Sequence, residues 1–183
     1  MPSVNLNVVF ITIETTRGSV APGWTQGNLS SVITQTNRVW QQAGIKFAVK
    51  QTSSQSVQMP GTSSSAVIDN PGFFFLQSRV APQGRITVGL VNQVIGSATA
   101  GMATIRGRFT LQPHRGIAQH YKPLVLAHEL GHILGLDHVT SNSRSARTRL
   151  AATSNLMTPG IIRATPVLTR PQIATAKASA SQR

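Results

Sequence analysis

The eleven residues HELGHILGLDH, His128 to His138, hold three of the chain's five histidines and two of its four acids. No other stretch restricts the fold as strongly. His128 and His132 are four apart, so a helix through them sets both on one face, with Cβ atoms about 5–6 Å apart. Two imidazoles so placed reach one zinc ion at about 2.0–2.1 Å. Glu129 follows the first histidine and projects to the side, where it would hold a metal-bound water and not the metal. A third histidine one helical turn further on would diverge from that face. Gly135, however, stands three residues after His132, and a left-handed conformation there carries no Cβ strain. The helix is expected to stop at Gly135, and the chain to turn back so that His138 completes the set. Three histidines leave one position open, as in catalytic zinc sites. The competing reading is a helix that merely contains histidine. It is disfavoured because each buried, unpaired polar group costs about 1–3 kcal/mol.

Patterning on either side places this helix inside a sheet protein. Residues Asn5 to Glu14 carry apolar side chains at strand spacing. GNLSSVITQTNRVWQQAG recurs at three and four, an amphipathic helix stopped by Gly44. IKFAVKQ reads as a second strand, followed by a Ser/Thr/Gln-rich loop over Thr52 to Ser65. NPGFFFLQSRVAPQG predicts one or two helical turns, RITVGLV a strand, and TAGMATIRGRF a further strand broken by Gly101 and Gly107. KPLVLAHELGHILG is apolar on most sides and starts with Pro123 in the first turn, as a buried helix would. LTRPQIATAKASA predicts a last helix capped by Thr169, with a tail that frays.

At 183 residues the chain suits a single domain with a real core. Cysteine is absent, which excludes disulfides and thiolate metal sites. No run is long enough for a membrane span. The N-terminal MPSVNLNVVFITIETT lacks a basic n-region, so no secretory signal is read there. Seventeen Lys and Arg, thirteen of them Arg, face only Glu14, Asp69, Glu129 and Asp137, for a formal charge of +13. Such a surface attracts anionic partners. The basic residues are scattered, with one cluster at Arg144, Arg147 and Arg149, and no nucleic-acid module is recognisable, so nucleic-acid binding is not expected as the main function. Four acids are too few for calcium sites, and calcium is not expected.

HELGHILGLDH resembles the metzincin zinc endopeptidases, whose pattern H-E-x-x-H-x-x-G-x-x-H is met at His128, Glu129, His132, Gly135 and His138. That family also carries a methionine in a tight turn beneath the zinc. Met157, in NLMTPG and nineteen residues past His138, occupies the matching position. The GLDH context, NLMTPG and LTRPQI are most similar to bacterial matrixin-like members. The resemblance implies an α/β fold: a twisted, mostly parallel sheet of four or five strands over two long helices. An antiparallel edge strand would pair with extended substrate, here Gly101 to Ile105 including Met102 and Ala103. It further implies a single catalytic domain, residues 1–183, with an N-terminal subdomain over 1–135 and a C-terminal one over 136–183. One Zn2+ would be held by His128, His132 and His138. Glu129 would activate the zinc-bound water, and Met157 would be structural. Ile161 and Ile162 would wall an apolar substrate pocket.

The departures are equally specific. Without cysteine there is no thiol-based latency segment of the matrixin kind. Thr158 stands where several metzincin groups have a tyrosine. His114 and His120 invite a second zinc site, but two loop histidines are more often surface residues. Asp137 is expected to cap nearby amides or pair with Arg. The function expected is a monomeric zinc-dependent endopeptidase acting on protein or peptide substrates, acidic ones being drawn by the Arg-rich surface. The alternatives are a catalytically impaired zincin-fold protein and a basic module binding nucleic acid or acidic lipid. The resemblance favours an extracellular or delivered protein.

Overall fold

The structure is a computed structural model, and it describes residues 1–60, 66–94, 101–139, 154–160 and 165–183. In chain order the strands are β1 (Ser3–Thr15), β2 (Gly18–Val20), β3 (Lys46–Gln58), β4 (Val67–Ile68), β5 (Ile86–Val91), β6 (Gln93–Val94), β7 (Met102–Ala103) and β8 (Phe109–Pro113). The helices are α1 (Gln26–Trp40), α2 (Asn70–Val80), α3 (Lys122–Ile133) and α4 (Arg170–Ala180). Strands β3, β1, β5 and β8 run parallel, and β7 closes the far edge antiparallel to β8. β2 doubles back on the end of β1, and β4 pairs with β6 in a separate two-stranded sheet. This is the α/β fold expected, a mostly parallel sheet with an antiparallel edge.

Alternation along β1 builds two cores. Val4, Leu6 and Val8 face α1 and α3, where they join Leu29, Val32, Trp40, Leu126, Leu130 and Met157. Val9, Ile11 and Ile13 face the other way, with Phe73, Leu76, Val80, Phe109 and Leu111. Helices therefore cover both faces, as a parallel sheet requires. Trp40 donates its indole N–H to Ala127 O (3.2 Å), and Thr36 donates its hydroxyl to Pro123 O (3.1 Å). Both bonds are buried, so they register α1 on α3 by direction as well as by packing.

Several elements depart from the pattern-based expectation. β3 does not end at Gln51; it continues through Thr52–Gln58 as an exposed edge paired with β1 almost to that strand's end. The polar residues there belong to a strand with a solvated face, which composition alone reads as loop. α2 spans eleven residues instead of one or two turns. Asp69 caps it by accepting from Gly72 N (2.8 Å), and Phe73, Leu76 and Val80 recur on its buried side. The strand expected to be broken at Gly107 is indeed broken there, into two separate strands: β7 ends at Ala103, a turn carries Arg106 at φ 58°, and β8 begins at Phe109. Nor does the C-terminus fray. Arg183 donates to Ile133 O (2.9 Å) and Gly107 O (3.2 Å), which ties it to the end of α3.

Candidate metal centre

α3 carries His128 and His132 on one face. The helix ends as Gly135 would have it, in the left-handed region at φ 88°. Gly135 N–H donates to His132 O and Leu136 N–H to Gly131 O, each at 2.9 Å. These are the paired reversed bonds of a glycine-terminated helix, with Leu136 buried behind them. The turn has a second effect that spacing does not reveal. It brings Leu136 O to 2.8 Å from His132 Nδ1. A carbonyl only accepts, so Nδ1 bears the proton and Nε2 of His132 presents a lone pair. His128 is fixed in the same way by Leu156 O, 2.7 Å from its Nδ1.

The turn delivers His138 to this pair. The three Nε2 atoms form a triangle with every side 3.1 Å. Three nitrogens each about 2.0–2.1 Å from one tetrahedral ion lie roughly 3.3–3.4 Å apart, so the cluster needs only a few tenths of an ångström to receive zinc. The alternative account, mutual hydrogen bonding, fails on proton count. Nε2 of His128 and of His132 are both acceptors, and His138 Nε2 has at most one proton to share. Burial also holds His128 and His132 below the usual imidazole range, His128 down to about 4, which keeps them neutral and able to bind a metal. Among the described residues this is the only group of three or more such side chains close enough to share an ion. His114 instead packs edge-on to Trp24, and His120 lies against Tyr121. Asp137 is exposed and takes neither partner expected of it among the described residues.

Glu129 is 7% exposed, and burial pushes its carboxyl up to about 8. A cation on the neighbouring imidazoles opposes that shift by favouring the carboxylate. The residue covering Glu129 is Gly101. A Cβ built there would lie 2.8 Å from Glu129 Cγ and 2.9 Å from Oε1. The backbone leading into β7 thus passes directly over the acid, and any side chain at 101 would displace one of them. Met102 and Ala103 follow as the antiparallel edge, paired to Leu111 and Thr110. Ile161 and Ile162 lie outside the described residues, as do Arg144, Arg147 and Arg149.

Met157 is fully buried under α3, against Gly131. Its N–H donates to Asn155 Oδ1, and its carbonyl accepts from Val139 N–H, next to His138, both at 2.9 Å. Asn155 in turn exchanges amide bonds with Gln172 of α4, at 2.9 and 3.2 Å, while Gln172 also accepts from Thr169 N–H in the capping box. The C-terminal helix thus holds the segment that orients His128 and adjoins His138. No local pattern marks Asn155 or Gln172 as partners; only the burial of Asn155 and the pairing of the two amides do. A Cβ at Gly131 would fall 2.5 Å from Met157 Sδ. Gly131→Ala is expected to destabilise the protein by about 1–3 kcal/mol through overpacking, read as a lower urea midpoint at unchanged slope.

No family model matches the sequence, and no curated protein does. A search of solved structures finds the crystal structure of archaemetzincin from Methanopyrus kandleri, with TM-score 0.61 and 16% identity, over 100% of this chain and 97% of that one. The likeness is one of fold, over both chains' full extent. It lends no support to a bacterial matrixin subtype.

Proposed function

We propose that this protein is a zinc-dependent endopeptidase of the metzincin type, with His128, His132 and His138 as ligands and Glu129 as the base. One observation carries the reading: three Nε2 atoms 3.1 Å apart, two of them committed as acceptors by carbonyls on Nδ1. The fold shared with an archaemetzincin supports it. Zinc held there would supply a Lewis acid that polarises a scissile carbonyl and lowers the pKa of a water toward about 7. Glu129 takes the proton from the attacking water and later returns it to the leaving amine. β7, paired on one side to β8, would accept an extended peptide as a further strand, with Gly101, Met102 and Ala103 alongside the acid. Met157 serves as the floor of the site, and Ile161 and Ile162 as the wall of an apolar pocket. The division into subdomains falls at Gly135, and a monomer suffices because every proposed group lies on one chain. Substrate recruitment by the Arg-rich surface belongs to the same proposal, as does an extracellular or delivered site of action.

The test is metal analysis together with digestion of a mixed protein substrate. One zinc per chain is expected, with hydrolysis lost to a chelator and restored by added zinc. A purified, folded protein that neither takes up zinc nor cleaves would end the proposal. Repeating the digestion at two salt concentrations separates charge steering from catalysis, since screening weakens only the former.

A further inference from the structure

A second concave site lies away from the histidines, at the N-terminal ends of β5 and β8. It is an open hollow of 370 Å³, and its lining includes Lys50, Arg85, Arg108 and Arg183 with no acidic side chain, the one carboxylate carried by a lining residue being the α-carboxylate at Arg183. Each arginine there meets only neutral acceptors. Arg85 donates to Gln51 Oε1 (3.1 Å), Arg108 to Gly84 O (2.6 Å), and Arg183 to backbone carbonyls and the Ser179 hydroxyl. The chain's four side-chain carboxylates are all placed elsewhere. Glu14 accepts from Ser19 and Ser56, Asp69 caps α2, Glu129 sits under Gly101, and Asp137 adjoins His138. Four cations therefore share one pocket with no acidic side chain to balance them.

Two further features show that the pocket is built and is not a chance gathering of surface arginines. The pairing of β3 with β1 slips between Leu6 and Asn7: Leu6 faces Val49, Asn7 faces Gln51, and Lys50 is the extra residue. Such a bulge re-aims a side chain. Consecutive strand residues ordinarily point to opposite faces, yet Lys50 and Gln51 both line this pocket. The second feature is Asn7. It is 8% exposed, lines the pocket, and has no side-chain hydrogen-bond partner among the described residues. Its amide atoms open onto the pocket and are not sealed among protein atoms, so they are available to a ligand held there.

We infer that this pocket binds a small, multiply charged phosphate-type anion, held by Lys50, Arg85, Arg108 and Arg183, with the Asn7 amide as a neutral donor. Guanidinium forks match phosphate oxygens in pairs, and the volume is at the lower end of the range of about 300–1,000 Å³ for small-ligand sites. A concavity of this volume favours a small ligand over a duplex or a membrane, which need an extended surface. Burial and the charge of Arg108 both disfavour the ionised form of Arg183; the attraction of a bound anion opposes that shift.

The test is titration of the zinc-loaded full chain at low ionic strength with inorganic pyrophosphate and, separately, with ATP, free of magnesium. Calorimetry gives affinity, and NMR of the Asn7 side-chain amide and Gly84 backbone gives location, so that anion contact with zinc is told apart. Saturable binding that shifts both signals is expected, weakened at least tenfold in Lys50→Gln/Arg85→Gln. Both residues are exposed, so the variant should keep its melting temperature and its hydrolysis. Should it misfold, the single variant Lys50→Gln, with a smaller but measurable loss, decides instead. Tighter binding of ATP than pyrophosphate identifies a nucleotide as the source of the phosphates; equal binding identifies a free phosphate. No saturable binding, binding without shifts at Asn7 and Gly84, or binding indifferent to the substitutions overturns the assignment. So does binding of a DNA duplex where pyrophosphate fails.

Discussion

Replacing Glu129 by Gln is expected to leave zinc in place and remove about 10²–10⁴-fold of the hydrolytic rate, the usual contribution of a positioned general base. The substitution suits the question because it keeps shape. Glu129 is buried with Gly101 against its Cγ and Oε1, and an amide of the same size fits where a larger group does not. Glutamine cannot take a proton from water. Metal content by elemental analysis and kcat on a peptide substrate are the two readings. Unchanged zinc with kcat lost assigns the base. Near-normal kcat with zinc bound would remove Glu129 from the mechanism.

The second large effect concerns the ligands. His138→Ala and His132→Ala should each lower zinc affinity by more than the roughly 10–100-fold that losing a supporting partner costs, with hydrolysis falling in step. They should differ in stability. His138 is exposed on the turn, so its loss costs little once metal is gone. His132 is 6% exposed and bonded to Leu136 O. Its removal leaves that carbonyl short of a partner inside the helix-ending turn, which costs about 1–3 kcal/mol. Competition with a zinc-sensing dye and urea unfolding in chelator separate the two effects. Wild-type zinc affinity in either variant would exclude that residue as a ligand.

Much of this site was legible from residue order. The two-histidine helix, its arrest at Gly135 and the return of His138 follow from helical period and from glycine's tolerance of positive φ, both local properties. So does the Thr169 cap of α4. Other features depend on partners far along the chain. The polar run Thr52–Gln58 becomes a strand because β1 offers an adjacent edge of matching length. Lys122 is buried, its ammonium 4.7 Å over the Trp24 ring, though nothing in HYKPLV marks it. The Arg183 tail is ordered by carbonyls at the end of α3.

The likeness to matrixins shows the same division. HELGHILGLDH specifies a three-histidine cluster and a turn, which are local features and do not by themselves select a subtype. The comparison with solved structures found that fold in an archaemetzincin and no support for the narrower grouping.

By itself, then, the sequence determined the three histidines and the glutamate proposed as ligands and base, the helix that carries the first two histidines and the glutamate, and the glycine that ends it, because each is set by spacing within one turn or two. Tertiary structure alone decided which carbonyls orient the imidazoles, that Gly101 roofs Glu129, that Asn155 and Gln172 brace the floor, and that Lys50 joins three arginines in one pocket. Apart from Leu136 O on His132, which the local turn supplies, those contacts join residues 17 or more positions apart. Their energy comes from groups that meet only when the sheet, its bulge and the helices close together, and no local pattern records such a meeting.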